Sequence, residues 1–408
     1  MSEETSAPIR AAVARRLSLL LGLALAAPAG AQPLVGARSV SVAPTVETWS
    51  FADGLPQPTL GGTEARLRRV TQLAVPVTVR LPLGRRLAAD VSGGWASGTV
   101  TLAAPDEAGR TSWSLAGPTD TRLRLTGRLA GESVLLTLGT TLPTGRTELD
   151  GAAYDAARVL AAPALGLASP VLGEGAGVTA GVVAARAVGR VSLALGASYE
   201  ARTSFSPIGL AAGLPALDYD PSDAVRVSLM ADALVGRGQM TAGLSVDAFG
   251  PGTVAVAAEG AETATNALRL GPVLTGEWHW QLPATRFQSL VLSVVDRVRL
   301  PYERDGATVA GSAANYLDVS LTGLLPLSTR TDLVLGAAAR HHTGLDADDT
   351  IAAAAFAGGT LTLGLARDLG RGYALQPHLR VQAGRIETAG RSSRTHALAS
   401  GIVVTRSF

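Results

Sequence analysis

One stretch limits what this chain can fold into more than any other. In "RLRRVTQLAVPVTVRLPLG" (66–84), Leu73, Val75, Val77, Val79 and Leu81 fall at odd positions. Gln72, Ala74, Pro76, Thr78 and Arg80 fall at even ones. A helix would mix the two sets, whereas a strand separates them, because successive side chains point to opposite sides. The apolar face is unbroken from 73 to 81. That matches the roughly nine to eleven residues a tilted strand needs to cross a bilayer. Pro76 donates no ladder bond and is expected at a bulge.

The same period returns along the chain. "TRLRLTGRL" (121–129) sets Leu123, Leu125 and Leu129 against Arg122, Arg124 and Arg128. "AVRVSLMADALV" (224–235) sets Val225, Val227 and Leu229 against Arg226, Ser228 and Asp232. "QMTAGLSVDAF" (239–249) opposes Leu244 and Val246 to Ser245 and Asp247. "YLDVSLTGLL" (316–325) opposes Leu317, Val319 and Leu321 to Asp318 and Ser320. "YALQPHLRVQAG" (373–384) opposes Leu379 and Val381 to His378, Arg380 and Gln382.

A spanning helix needs about 20 consecutive apolar residues. After residue 31, Arg, Asp, Gly or Pro interrupts every apolar run. Yet 47% of the chain is hydrophobic and only 17% is charged, against about 25% charged in a soluble domain. Residues 1–31 read as a cleaved export signal. Arg10, Arg15 and Arg16 precede an apolar "LSLLLGLALAA" (17–27), and "AGA" (29–31) supplies small residues before Gln32. A two-sheet soluble sandwich also alternates, but it turns its polar face to water and needs more charge. In lipid every backbone polar group must be paired, so an exported apolar chain without spanning helices leaves a closed barrel. The expected organisation is a signal peptide at 1–31, a short periplasmic segment at 32–37, and an all-β, antiparallel, up-and-down transmembrane barrel over 38–408.

Short turns near 82–86, 130–132, 188–190, 236–238, 282–286, 328–330 and 369–371 alternate with longer Gly/Pro-rich or polar stretches. The longer ones are 52–63, 104–118, 143–173, 204–221, 250–264, 303–312, 343–356 and 388–393. Short periplasmic turns and long extracellular loops are the layout of an outer-membrane barrel. The count is about 16 strands, or about 12 to 14 if the indistinct stretches at 38–51, 85–104 and 352–368 are set aside. Trp278 and Trp280, on a strand expected over 266–282, and Tyr373 lie at the periplasmic level of an aromatic girdle. The segment "HALASGIVVTRSF" (396–408) places Leu398, Ile402, Val404 and Phe408 on one face. It reads as the closing strand, ending on a lipid-facing Phe408. Arg406 is expected to lay its stem along lipid and extend its charge to headgroups.

The chain lacks Cys and Lys. Thiol chemistry, disulfides and Cys-based metal sites are excluded. No basic block points to nucleic acid. The five histidines show no metal-ligand spacing. His341 and His342, adjacent on a strand, point to opposite faces. No nucleophile–base pattern emerges, so no catalytic residue, metal or cofactor is expected, and no enzymatic activity. The informative residues are those on polar faces: Arg122, Arg124, Arg128, Arg226, Asp232, Asp247, Arg269, Glu277, Asp318, Arg340, His378 and Arg380. In a wide barrel they line a wet lumen and set charge selectivity; in a narrow one they pair and fill it. The longest connection, 143–173, is the third extracellular loop. It carries Glu148, Asp150, Asp155 and Arg158 before an apolar Val159–Leu167 run. It is expected to fold inward as a constriction, with a flexible surface loop as the alternative.

In architecture, residues 38–408 resemble a bacterial outer-membrane β-barrel of the porin or transporter kind. A narrower resemblance, to barrels associated with phenol and aromatic-hydrocarbon degradation pathways, rests on "GPTDTRLRLTGRL" (117–129) followed by "LPTG" (142–145). The first expectation is a passive channel for small solutes, with anionic or neutral preference. The second, which the narrower resemblance implies, is an uptake transporter for hydrophobic or aromatic compounds. The third is a structural barrel with a closed lumen. Expected partners are outer-membrane lipids and lipopolysaccharide, the solutes themselves, the barrel-assembly machinery reading Phe408, and further copies of the chain. No nucleic-acid partner is expected.

Overall fold

The computed structural model describes residues 38–408 except 59–63, 104–109, 130–132, 170–171, 209–215, 258–263, 285–286, 346–352 and 389–390. The expected signal peptide at 1–31 and the segment 32–37 lie outside the described residues.

The wall opens with β1 (Ser39–Val42) and β2 (Thr45–Pro58), which act as one strand. Both pair with β3 (Glu64–Pro82), in unchanged register: Val42 faces Val77 and Thr45 faces Ala74. The gap at Ala43–Pro44 lies opposite Pro76, whose carbonyl accepts from the Ala43 N–H at 3.0 Å. Pro76 therefore sits in regular pairing with β4 (Leu87–Ala103), and the interruption falls in the neighbouring strand rather than as a bulge in β3. Next, β5 (Arg110–Pro118) and β6 (Thr121–Leu129) share the far edge of β4 and also act as one strand. After β7 (Val134–Leu142) come helix α1 (Gly151–Leu160), β8 (Gly177–Val188) and β9 (Val191–Arg202).

The chain continues through β10 (Phe205–Ile208), β11 (Ala216–Asp220), β12 (Ala224–Val235), β13 (Gly238–Phe249) and β14 (Gly252–Ala257). Then follow β15 (Ala264–Arg269), β16 (Val273–Leu282), β17 (Ser289–Arg299), β18 (Glu303–Arg304) and β19 (Ala307–Thr308). The circuit is completed by β20 (Ala314–Ser328), β21 (Thr331–Thr343), β22 (Ala355–Gly370), β23 (Tyr373–Thr388) and β24 (Arg391–Ser407). Because β24 pairs with β1 and β2, the wall closes on itself. The protein is a closed 16-stranded antiparallel β-barrel.

Six short strands, β10, β11, β14, β15, β18 and β19, form a second sheet. Its register carries on from the wall: Arg226 faces Asp247 below the break, and Asp220 faces Thr253 above it. Likewise Val273 faces Arg299, and Leu268 faces Arg304. Pro221, Pro251, Pro272 and Pro301 stand at these breaks. Proline offers no ladder donor, so the wall creases along this line. The strand expected over 266–282 is thus two, β15 and β16, divided at Leu270–Pro272. Elsewhere the wall is taller than expected: 52–58 and 110–118 are strand rather than loop, and β24 already begins at Arg391, paired with Thr388 of β23.

The outward face is apolar and uncovered. Leu138, Leu195, Leu229, Leu361, Leu363 and Leu398 are all more than half exposed. Large exposed apolar patches mark an interaction surface, and a band running round a closed barrel is the surface that lipid covers. The packed core lies inside the wall. Trp49, Phe51, Leu55, Val70, Val100, Leu115 and Phe356 meet residues of the 143–176 segment there.

Candidate functional site

The segment between β7 and β8 enters the barrel. Asp150 begins its helix: in extended backbone conformation, its carboxylate accepts the Ala153 N–H at 2.8 Å, a standard N-cap. Ala153, Ala156, Val159 and Leu160, at three- and four-residue spacing, form the buried face of α1. That face contacts β4 and β5 and belongs to one buried cluster with inward residues of β2, β3, β22 and β23. Leu160 occupies a socket at Gly98, where an added Cβ would come within 2.4 Å of its Cδ1. Fully burying one such leucine contributes about 1.5–3 kcal/mol.

Two clasps tie the segment to the β3–β6 wall. Asp120, at the β5–β6 junction, accepts the Gly145 N–H at 2.8 Å and the Glu174 N–H at 2.6 Å. One carboxylate thus holds the segment where it leaves the wall and where it returns. Thr144 adds a hydroxyl bond to the Thr121 N–H at 2.8 Å. At Gly145 a Cβ would collide with the Leu172 carbonyl at 2.1 Å. The second clasp is reciprocal: Gln72 Nε2 donates to the Ser169 carbonyl at 2.6 Å, and Ser169 N–H donates to Gln72 Oε1 at 3.2 Å. The "GPTD" and "LPTG" residues singled out in the sequence therefore meet in space, as the hinge of the inserted segment.

Below and beside this plug the inner wall is charged. Asp90 holds Arg80 at 3.1 Å and Arg124 at 3.0 Å. Arg122 pairs with Glu174 at 3.3 Å. Asp247 takes Arg226 by two contacts, 2.5 and 2.9 Å. Asp318 gathers Arg340 at 3.6 Å, Arg297 at 3.8 Å and His342 at 3.3 Å. Glu277 lies 3.8 Å from His279, whose Nδ1 is 2.7 Å from the Ser293 hydroxyl. Asp232 accepts from Gln239 and Thr241. A deeply buried wall pair is Glu47–Arg380, with Trp49 Nε1 donating to the same carboxylate at 2.9 Å. Opposite charges follow one another from strand to strand, so the charge is locally balanced.

Of the twelve residues drawn from polar faces, eleven belong to wall strands on the faces expected. Arg269 does not. It lies in β15 above the crease, within 3.9 Å of Glu303, because the wall breaks at Leu270–Pro272. His378 shares the inward face with Arg380, while buried His342 and exposed His341 lie on opposite faces, as adjacent strand residues must. In the plug, Asp155 and Arg158 are 3.6 Å apart and largely buried, whereas Glu148 and Asp150 are exposed. Sequence reasoning missed Glu47, Arg80, Asp90, Asp120 and Arg297. Arg80 and Asp90 could have been found, since opposite charges flank the 83–86 turn on one face. The helix was also legible in Asp150 followed by an alanine-rich run of helical period.

On the outer face, Trp278 and Trp280 lie side by side with ring centroids 6.1 Å apart. At the same end Arg406 stacks between Tyr373 and Phe408, its guanidinium carbon 5.0 and 4.3 Å from the two ring centres. Arg406 is thus held against aromatic rings rather than simply extended toward headgroups. The Phe408 N–H closes the ring of strands on the Arg38 carbonyl at 2.9 Å.

No protein-family model matches the chain, and no curated protein matches it. Solved structures do. OmpT, an outer membrane protein of Vibrio cholerae, is 10% identical with a TM-score of 0.41, over 93% of this chain and 100% of that one. An outer membrane channel of Pseudomonas putida F1 is 14% identical, TM-score 0.35, over 94% and 99%. A mutant of the monoaromatic hydrocarbon channel TodX is 10% identical, TM-score 0.39, over 94% and 91%. The barrel architecture rests on the strand pairing of this chain and not on these matches. One expectation is corrected: the exclusion of enzymatic activity, which rested only on the lack of a recognisable motif. It does not stand as a conclusion, because a closed barrel wall leaves the question of catalysis open.

Proposed function

We infer that this protein is an outer-membrane channel that lets small solutes cross passively, with neutral or anionic preference. One observation carries the reading: a wall of paired but solvent-exposed charges faces the lumen beside an inward-folded plug. Arg122, Arg226 and Arg297 each keep half or more of the side chain exposed while facing inward. Inside a barrel such exposure means water, and a wet, charge-lined lumen conducts. Arg122, Arg124 and Arg128 on β6 tilt it toward anions. The sequence pattern of an export signal at 1–31, the lipid-facing band and the Arg406–Phe408 rim support placement in an outer membrane and recognition by barrel-assembly machinery. Reconstitution into planar bilayers tests the reading. Discrete conductance steps with an anion-favouring reversal potential are expected, and cation preference would remove the selectivity claim.

A second reading has its own support. The plug and the upper wall pack Trp49, Phe51, Val70, Val100 and Phe356 into a dry apolar core, whose chemistry would suit hydrophobic compounds once the plug moves aside. Liposome uptake of a sugar compared with an aromatic hydrocarbon separates the two.

A further inference from the structure

The plug is clasped by polar contacts on one side of the barrel, while on the other it shares an apolar core and leaves polar wall atoms unmatched. Toward β3 to β6 its polar contacts are matched by the Asp120 and Gln72 clasps. Toward β21 to β24 the inner wall presents polar atoms that find no hydrogen-bond partner among the described residues. They are the Thr360 hydroxyl, both amide atoms of Gln382, the Thr395 hydroxyl and Arg340 Nη1. Thr360, Gln382 and Thr395 are each more than nine-tenths buried.

These atoms form one patch. Thr360 and Gln382 are direct cross-strand partners, which puts their Cβ atoms about 5 Å apart. The next inward pair toward the loops is Gly358 opposite Gly384, flanked by Arg340 on one side and Thr395 on the other. The Phe356 ring lies over these two glycines, where an added Cβ would come within 2.6 and 2.8 Å of it, so an aromatic face sits between the flanks. The plug touches the patch directly: Gly166 rests on Arg340, where an added Cβ would come within 2.8 Å of Nη1. Trp49 and Phe356 border it with aromatic rings 6.0 Å apart, edge to face.

A buried polar group without a partner costs about 1–3 kcal/mol, so this seam disfavours the seated plug, whereas the clasps favour it on the opposite side. The mismatch is relieved when something polar takes the place of the plug. The nearby charges already offset each other, Arg380 with Glu47 and Arg340 with Asp318. The free atoms are a mixture of donors and acceptors. A neutral solute rich in hydroxyl groups, which both donate and accept, satisfies that mixture, and the aromatic border suits its C–H faces.

We propose that Thr360, Gln382, Thr395 and Arg340 form a recognition site for neutral polyhydroxyl solutes. Solute reaches it along the seam between the plug and β21–β24, while the Asp120 and Gln72 clasps hold the other side. This rests on the channel reading above. The test uses the full-length protein in liposomes, with sucrose and benzoate as probes, comparing wild type with the Thr360→Val/Gln382→Leu variant. Sucrose flux is expected to fall about tenfold, the worth of one or two hydrogen bonds, with benzoate flux little changed. The unfolding temperature should hold or rise, because apolar replacements remove unsatisfied groups. Unchanged sucrose flux, an equal fall for benzoate, or a drop in unfolding temperature overturns the site. If the wild type passes neither probe, the channel reading fails and the site falls with it; if flux is present but indifferent to the variant, only the site fails.

Discussion

On β22 to β24 the inward polar residues are shut away: Thr360 is 7% exposed, Gln382 2% and Thr395 0%. On β6 and β12 the inward arginines are open, Arg122 at 63% and Arg226 at 60% of the side chain. Both sets stand on the polar side of the same alternating wall. What separates them is the plug, a segment from between β7 and β8 that is clasped to the β3–β6 wall and shares a buried core with β22 to β24. Strand period decides which way a side chain faces. Whether that side chain meets water is decided by residues far away in the sequence.

The comparison can be broken most directly by removing the plug. Deleting 150–165 should raise single-channel conductance severalfold and expose the β22–β24 patch; unchanged conductance would mean that the segment does not fill the lumen. Next in size is the contrast between the two kinds of ion pair. Glu47→Ala strands Arg380 on the dry side and should cost about 3 kcal/mol or more. Asp247→Ala, whose partner Arg226 is mostly solvated, should cost under about 1 kcal/mol. Urea unfolding in detergent reads both, and equal losses would erase the distinction between dry and wet walls.

The clasp comes third. Asp120→Ala leaves the Gly145 and Glu174 N–H groups without their acceptor, for about 1–3 kcal/mol. Protease sensitivity should rise within 143–176 and not in the strands. Gly98→Val should unseat Leu160 at about 1–3 kcal/mol and raise open probability. The smallest effect on stability and the sharpest on selectivity is expected from Arg122→Gln/Arg124→Gln/Arg128→Gln. Folding should be nearly unaffected, while the reversal potential moves toward cations.

Much of the wall was legible because a barrel strand records its two faces in every second residue. Leu123 and Leu125 against Arg122 and Arg124, or Val225 and Val227 against Arg226, give the facing without any tertiary knowledge. Turn positions followed from where the alternation stopped. The crease was harder to read. "GPV" at 271–273 interrupts a strand only if the neighbouring strands also carry proline at that height, which needs the register. The site was half legible. Asp318, Arg340 and Arg380 were found on the polar face, but Glu47 sits in a short run before Trp49 and Phe51, where the polar face turns apolar and the period gives a weaker signal. Asp120 was hidden for a different reason. Its partners are the backbone N–H groups of Gly145 and Glu174, and a backbone donor leaves no complementary residue type to search for.

The crease at Pro221, Pro251, Pro272 and Pro301 keeps the register of the strands it interrupts, and this decides which changes of chain length the upper sheet tolerates. Adding two residues between β11 and β12 shifts a strand along its neighbours and keeps each side chain on its own side. Adding one turns every residue of β11 over, so that Leu217 and Tyr219 exchange faces with Asp218 and Asp220, while β12 below stays as it was. The rim above the prolines can therefore be lengthened or shortened in pairs without disturbing the wall that lipid surrounds.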